Sequence, residues 1–351
     1  MLQSKRLYCL THRRGYQAIK EFDEPFRGEV NPGMVLIKIK AVALNHRDLS
    51  IADGTYPFPV RHRIVPCSDG AGEVIKVGSG VADIKVGDKV IGLFDQLQFY
   101  GGPENWFHHL GSTLDGMLQE YRTLPATGAV KIPKDTHLMW EEMASLVCSG
   151  VTAWNALFCG PRFVPGNAVF LQGTSDLSII ALILANAAGA ETIIASSSDE
   201  KLEQVKAEYR PDYAINYVKN PRWDAEAIRI TGGVGVDLML DIGGVKTLQR
   251  SANAVCSGGT IAVMGRFGMR KSEPDANIDA TQLLLTKSMT IRGVQVGSKE
   301  MLKDLVRFVN DKKLHIPIDR VFNFNYKDIQ HAFAYFESRK HLGKVCIRMP
   351  D

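Results

Sequence analysis

The sequence has no CxxC pair, no long apolar run and no marked excess of either charge, and each absence closes off a class of function. The six cysteines, at 9, 67, 148, 159, 256 and 346, are spaced like neither a zinc ribbon nor a secreted disulfide framework. A reducing, intracellular compartment is the expectation. The most apolar stretch, Leu177–Ala190, falls short of the about 20 residues needed to cross a bilayer. The N-terminal MLQSKRLYCLTHRRGYQAI is interrupted throughout by Lys, Arg and Gln, unlike a signal peptide. A soluble, cytoplasmic protein with no membrane partner is therefore expected. Lys and Arg number 42 against 38 Asp and Glu, a net +4, and they are scattered along the chain, so no nucleic-acid partner is implied. Repeats and low-complexity tracts are absent too.

What is present suits an ordinary globular chain: 351 residues, too many for one core, with 45% hydrophobic and 23% charged residues. The first third reads as short strands between turns. Val35–Ala41 alternates apolar and basic residues, Gly70–Val77 is a second such run, and Asp83–Ile91 carries a Gly-Asp turn between two strand-like stretches. Residues 95–116 are polar, aromatic and glycine-rich, as in a long functional loop or lobe. From about residue 140 strands and helices alternate, which predicts an α/β fold: a doubly wound parallel sheet beside a β-rich domain. Trp140–Phe158 has helical spacing, Leu177–Ala188 reads as an apolar helix, and Asp199–Tyr209 as a polar one. Strands are expected at Ala168–Leu171, Thr192–Ala195, Tyr213–Asn216, Leu238–Leu240, Thr260–Met264, Met289–Val294, Arg320–Phe324 and Lys344–Arg348.

The strongest local signal is VFLQGTSDLSIIALILANAAGA, Val169–Ala190. A buried strand runs into a tight turn at Gly173 and then a helix whose first amides, near Leu177, would face a pyrophosphate. Ser175 and Ser178 stand where G-x-G-x-x-G has its second and third glycines, and Asp176 places a carboxylate beside the phosphates. A turn that binds nothing is the competing reading. The next strand ends without the acidic residue that holds ribose hydroxyls; Ser196, Ser197 and Ser198 follow, then Lys201, which suits a 2′-phosphate and favours NADPH over NAD. Ser197 with Glu200 also makes a capping box.

Taken together, ALNHRDL (43–49), PCSDGAGEVIKVG (66–78), VGDKVIG (86–92), DGMLQEYRTLP (115–125), SGVTAWNAL (149–157), TGGVGVDLMLDIGG (231–244), GGTIAVMG (258–265) and HLGKVCIR (341–348) resemble the medium-chain dehydrogenase/reductase superfamily, on its zinc-independent quinone oxidoreductase and enoyl reductase side. The resemblance implies a GroES-like catalytic domain over 1–145 and 300–351, a Rossmann domain over 146–299, and an active site in the cleft between them. The family's zinc enzymes use Cys, His and Cys as catalytic ligands; the matching positions are Asn45, Ser68 and Cys148, and the lobe that elsewhere holds structural zinc has no cysteine here, so no metal is expected. By the same resemblance Asn45, His46 and Thr152 lie near the nicotinamide, with His46 a proton donor, Asp69 on the pocket floor and Asp48 structural. Lys201 and Tyr217 would hold the adenosine end, Gly265, Val294 and Val296 would flank the nicotinamide, and Lys344 would approach the cleft. Tyr56, Phe58, Trp106, His108, His109 and Cys148 are candidates for the substrate side. The expected activity is NADPH-dependent reduction of a conjugated C=C, enone or quinone-type small molecule. The alternative is a non-redox isomerisation, dehydration or cyclisation on a fold that has lost the dinucleotide. A homodimer formed along Met289–Val294 is a further expectation.

Overall fold

A computed structural model of the protein describes residues 3–160, 162–265 and 280–350. The chain divides into two units, Met1–Val151 with Val296–Asp351, and Thr152–Gln295. The joints thus fall at 151/152 and 295/296, where the sequence places them at 145/146 and 299/300.

The first unit opens with an antiparallel pair, β1 (Gln3–Leu10) and β2 (Ile19–Phe26). Its main sheet contains β3 (Met34–Ala43), β4 (Asp69–Val77), β5 (Lys89–Gly92), β6 (Tyr121–Pro125) and β7 (Ala129–Lys131), with helix α1 (His46–Ala52) between β3 and β4. β3 is central: it pairs antiparallel with β4 and also with β6. The alternation read over Val35–Ala41 puts Ile37 and Ile39 into the core. Asp83–Ile91 yields only β5; its first half is turn and bend, because the Asp88 carboxylate accepts the Lys85 N–H at 2.9 Å and bends the backbone before the strand starts. The expected helix over Trp140–Phe158 is α2 (Trp140–Ser145), a π-helical turn over Leu146–Gly150, and α3 (Val151–Phe158).

The second unit is a six-stranded parallel sheet built from β8 (Ala168–Gln172), β9 (Glu191–Ser196), β10 (Tyr213–Asn216), β11 (Val236–Asp241), β12 (Val255–Val263) and β13 (Thr290–Gly293). The order is β10-β9-β8-β11-β12-β13, so the sheet reverses direction of growth between β8 and β11. α4 (Asp176–Ala187) and α5 (Asp199–Tyr209) follow β8 and β9; α6 (Trp223–Ile230), α7 (Leu248–Ala254) and α8 (Ala280–Lys287) complete the unit. All five residues of β8 are buried, as a strand covered on both faces requires. α4 buries Ile179, Ile180, Leu182 and Leu184 around most of its circumference, which is why its sequence reads as apolar without a clear polar face.

The chain then returns to the first unit through α9 (Lys299–Asp311), β14 (Ile318–Asn323), α10 (Tyr326–Glu337) and β15 (Lys344–Arg348). β15 pairs with β3 over Ala41–Ala43, so the last strand closes the sheet begun near the N-terminus. Among the described residues, no helix is long and apolar enough to cross a membrane.

Candidate active site

In the first unit the site grows from the end of β3. Asn45 is the N-cap of α1, and the Asp48 carboxylate, one turn on, accepts the Asn45 N–H at 2.8 Å. Asp48 is buried, its Oδ1 has no hydrogen-bond partner, and burial pushes its carboxyl up to about 6 despite the nearby Arg47. The structural role expected for Asp48 is thus as a staple for the turn. His46 points outward, with Nδ1 3.5 Å from Ser50 Oγ, and is open to solvent.

Facing this turn are Ser68, Asp69 and the π-helical turn. Asp69 is fully buried; Ser68 Oγ donates to its Oδ1 at 2.6 Å and the Cys148 N–H to its Oδ2 at 3.1 Å. Burial raises its carboxyl above the usual value, and Lys344, Ser68 and the Cys148 N–H offset only part of that. Asp69 therefore ties β4 to the π-turn. Just before it, Cys67 holds a left-handed backbone (φ 68°), which is unusual for a residue with a side chain.

The Lys344 side chain is fully buried, and Nζ donates to Leu44 O at 2.8 Å, Asn45 Oδ1 at 2.8 Å and Ser149 Oγ at 3.3 Å. The reason lies in β15, which is hydrogen-bonded to β3 and turns this side chain under the Asn45 loop. Ser149 Oγ also donates to Asn45 Oδ1 at 3.2 Å, so that oxygen already has two donors.

The zinc-ligand positions can now be judged as a donor set. Asn45 Oδ1 is engaged by Lys344 and Ser149, Ser68 Oγ gives its proton to Asp69, and only Cys148 supplies a sulfur. Among the described residues, no group of three or more His, Cys, Asp or Glu is placed to hold a metal ion. These residues do not fit a zinc ion, which wants thiolate, imidazole or carboxylate ligands.

The lobe over 95–116 is held without metal-ligating cysteines. His109 Nε2 lies 3.2 Å from Asp95 Oδ2, both buried, and Phe94 packs on the His109 ring. Burial opposes ionisation of Asp95, but His109 and the Leu97 N–H outweigh it and keep the carboxyl below its ordinary value. Trp106 stacks on Phe58 at 3.9 Å and meets His109 edge-on; Phe58 in turn meets Tyr56. His109 is thus a fastening residue rather than a free pocket wall, and His108 turns its Nδ1 to Asn105 Oδ1 at 3.1 Å. Arg47 reaches into this group: its guanidinium lies over the rings of Tyr56 and Phe94, Nε donates to Tyr56 Oη at 3.4 Å, and Nη1 donates to Leu110 O at 2.9 Å.

In the second unit the strand–turn–helix after β8 has the form read from sequence. Gly173 takes φ +74°, and a Cβ there would come within 2.9 Å of Ile242 Cδ1. Ser175 caps α4 by accepting the Ser178 N–H, while Ser178 Oγ turns inward and donates to Gln172 O at 2.7 Å. The serine at the third glycine position thus packs close and pins helix to strand. Asp176 is the first residue of α4; the cap does not use the Leu177 amide.

At the end of β9, Ser196 is buried beside Thr174, with Oγ atoms 3.4 Å apart, and Ser197 is exposed. The cap of α5 is Ser198, which accepts the Lys201 N–H at 3.2 Å; the expected Ser197 box is displaced by one residue because β9 extends through Ser196. The nearby acid, Asp199, is ion-paired with Lys219 and accepts from Asn216 Nδ2. Tyr217 is half-exposed, and its N–H donates to Ser196 O. Asp241, at the end of β11, is buried and accepts from Ser251 Oγ (2.5 Å), Thr247 Oγ1 (2.8 Å), the Gly244 N–H (2.8 Å) and Gln172 Nε2 (3.3 Å), locking the loop after β11 to β8. A side chain on Gly265 would collide with Ile242 O. Val294 donates its N–H to Val263 O, Val296 is buried with φ +46°, and Thr152 is buried at the start of this unit. The positive-φ turn, the capped helix and the reversal of strand order fit a dinucleotide.

A split β-rich unit closed by the C-terminal strand, in one chain with a parallel sheet of this strand order, defines a dehydrogenase architecture. Residues 31–134 match the alcohol dehydrogenase GroES-like domain and residues 177–311 the zinc-binding dehydrogenase domain. A zinc-type alcohol dehydrogenase-like protein of Schizosaccharomyces pombe is 39% identical over 339 residues, 95% of this chain and 96% of that one. The solved structure of a putative alcohol dehydrogenase from Sinorhizobium meliloti 1021 is 32% identical, with TM-score 0.87 over 99% of both chains. A mycobacterial quinone oxidoreductase shares the fold, with TM-score 0.79 at 23% identity, over 98% of this chain and 100% of that one. The chain belongs to the medium-chain dehydrogenase/reductase superfamily and is an oxidoreductase of that family.

Proposed function

We propose that this protein is a zinc-independent, NADPH-dependent reductase of a small molecule bearing a conjugated C=C–C=O or quinone group. The observation that carries the reading is the donor set at Asn45, Ser68 and Cys148, whose one well-formed acceptor, Asn45 Oδ1, is already taken by Lys344 and Ser149. Without a Lewis acid the alkoxide of an alcohol oxidation loses its main support. Hydride addition to a conjugated system asks less, because the charge moves to an oxygen that hydrogen bonds can hold. The bound nicotinamide would supply the hydride.

Gly173 and the opening turn of α4 would hold the pyrophosphate, and Ser196, Ser197 and Lys201 would meet the 2′-phosphate. His46, exposed at the start of α1, would return a proton to the substrate after reduction. Lys344 keeps Asn45 in place from below.

The test is to follow NADPH consumption with 2-cyclohexenone and with benzoquinone, before and after treatment with a strong zinc chelator, while measuring bound zinc. Turnover that survives chelation in metal-free protein is expected. Stoichiometric zinc whose removal abolishes turnover, or no NADPH binding at millimolar cofactor, overturns the proposal.

A further inference from the structure

Arg47 is a buried cation that, among the described residues, makes no ion pair. Only 9% of its surface is exposed, its Nη2 has no hydrogen-bond partner, and no carboxylate is ion-paired with it among the described residues. Its direct contacts are uncharged: the Leu110 carbonyl on Nη1, the Tyr56 hydroxyl on Nε, and the faces of Tyr56 and Phe94. The neighbouring acid, Asp48, favours the charged guanidinium electrostatically, but it spends one oxygen on the Asn45 N–H and forms no ion pair with Arg47. Proteins rarely leave a guanidinium in this condition; a buried charge is normally paired.

We infer that Arg47 is the anion-recognition residue of this pocket, and that the molecule reduced carries a carboxylate which pairs with Nη2. This deepens the reductase reading and rests on it for the identity of the ligand as substrate. The residues already assigned to the substrate side agree in chemistry. Tyr56, Phe58 and Trp106 form a continuous aromatic wall running from the guanidinium, suited to a flat unsaturated chain or ring with an acid at one end. Two neutral contacts hold the guanidinium in one orientation before any ligand arrives, so little ordering remains to be done on binding. Bulk water does not reach Nη2, which strengthens an incoming charge-assisted bond. A ligand oxygen must displace a neighbour to get there. Tyr56 is the half-buried one, held to Nε only at 3.4 Å.

The experiment compares binding of trans-cinnamate and its neutral isostere trans-cinnamamide to the full-length protein by calorimetry, in native, Arg47→Met and Arg47→Lys forms. NADPH binding is titrated separately. Native protein is expected to prefer the carboxylate at least tenfold. Arg47→Met should erase that preference; Arg47→Lys should keep part of it. Equal or absent binding of both compounds to native protein overturns the inference, as does cinnamate binding to Arg47→Met at native strength. Failure to bind NADPH with the carboxylate preference intact would instead sink the reductase reading and leave the anion site standing.

Discussion

Replacing Asp48 by Asn should make the protein more stable at neutral pH, although the residue is buried and hydrogen-bonded. The carboxyl moves from an ordinary 3.8 to about 6 because burial outweighs Arg47 and the Asn45 N–H. At about 1.4 kcal/mol per tenfold change in proton affinity, ionising it in the folded chain costs roughly 3 kcal/mol at pH 7. The sign follows from proton counting. Between about pH 4 and 6 the folded chain keeps a proton that the unfolded chain has released, so this group's share of stability is complete below about pH 4 and lost as pH rises through 6. Asn keeps an oxygen for the Asn45 N–H and carries no charge, so Asp48→Asn should gain up to about 3 kcal/mol near pH 7.5 and almost nothing near pH 4. Urea unfolding at both pH values, followed with several probes because two units can melt in separate steps, measures it. Asp69, raised in the same sense, leaves the variant some pH dependence of its own. A variant less stable than native at pH 7.5, or a gain equal at both pH values, would refute the reasoning.

Asp241→Ala strands four donors around a buried cavity and should cost about 3–5 kcal/mol, read as a large fall in the urea midpoint of the second unit. Lys201→Ala should weaken NADPH at least tenfold and NADH little; equal losses would remove the 2′-phosphate role. Asp176→Gly should tighten NADPH by about three- to tenfold if the carboxylate faces the diphosphate, worth roughly 1 kcal/mol, and an unchanged affinity by fluorescence titration means that it faces elsewhere.

The second unit was the more legible in sequence. α5 and β10 there, like β15 in the first unit, begin and end where the residues say, because caps, apolar runs and turn residues lie within the elements themselves. The Gly173 turn was readable for the same reason. What escaped was set by distant partners. The β1–β2 pair draws its register from across a turn, and α6 to α8 are only 7 or 8 residues long, about two turns each. Lys344 reads in sequence as a residue approaching the cleft, but its hydrogen bonds under Asn45 depend on β15 pairing with β3 some 300 positions away. Nothing local marks Arg47, between His46 and Asp48, as buried; its guanidinium packs on Phe94 and bonds to Leu110, both distant in sequence. His109 gave no sign of Asp95 as its partner, since that pairing depends on how the lobe folds back.

The left-handed Cys67 has an implication for how far the lobe can be trimmed. Gly111 and Gly116 lie so close to the Cys67 backbone that neither has room for a side chain, and the Met117 N–H donates to Cys67 O at 2.8 Å. The far end of the lobe is therefore the mould against which Ser68 and Asp69 are cast. Shortening it would remove the close backbone contacts around the left-handed Cys67, two residues before the Asp69 carboxylate that accepts the Cys148 N–H.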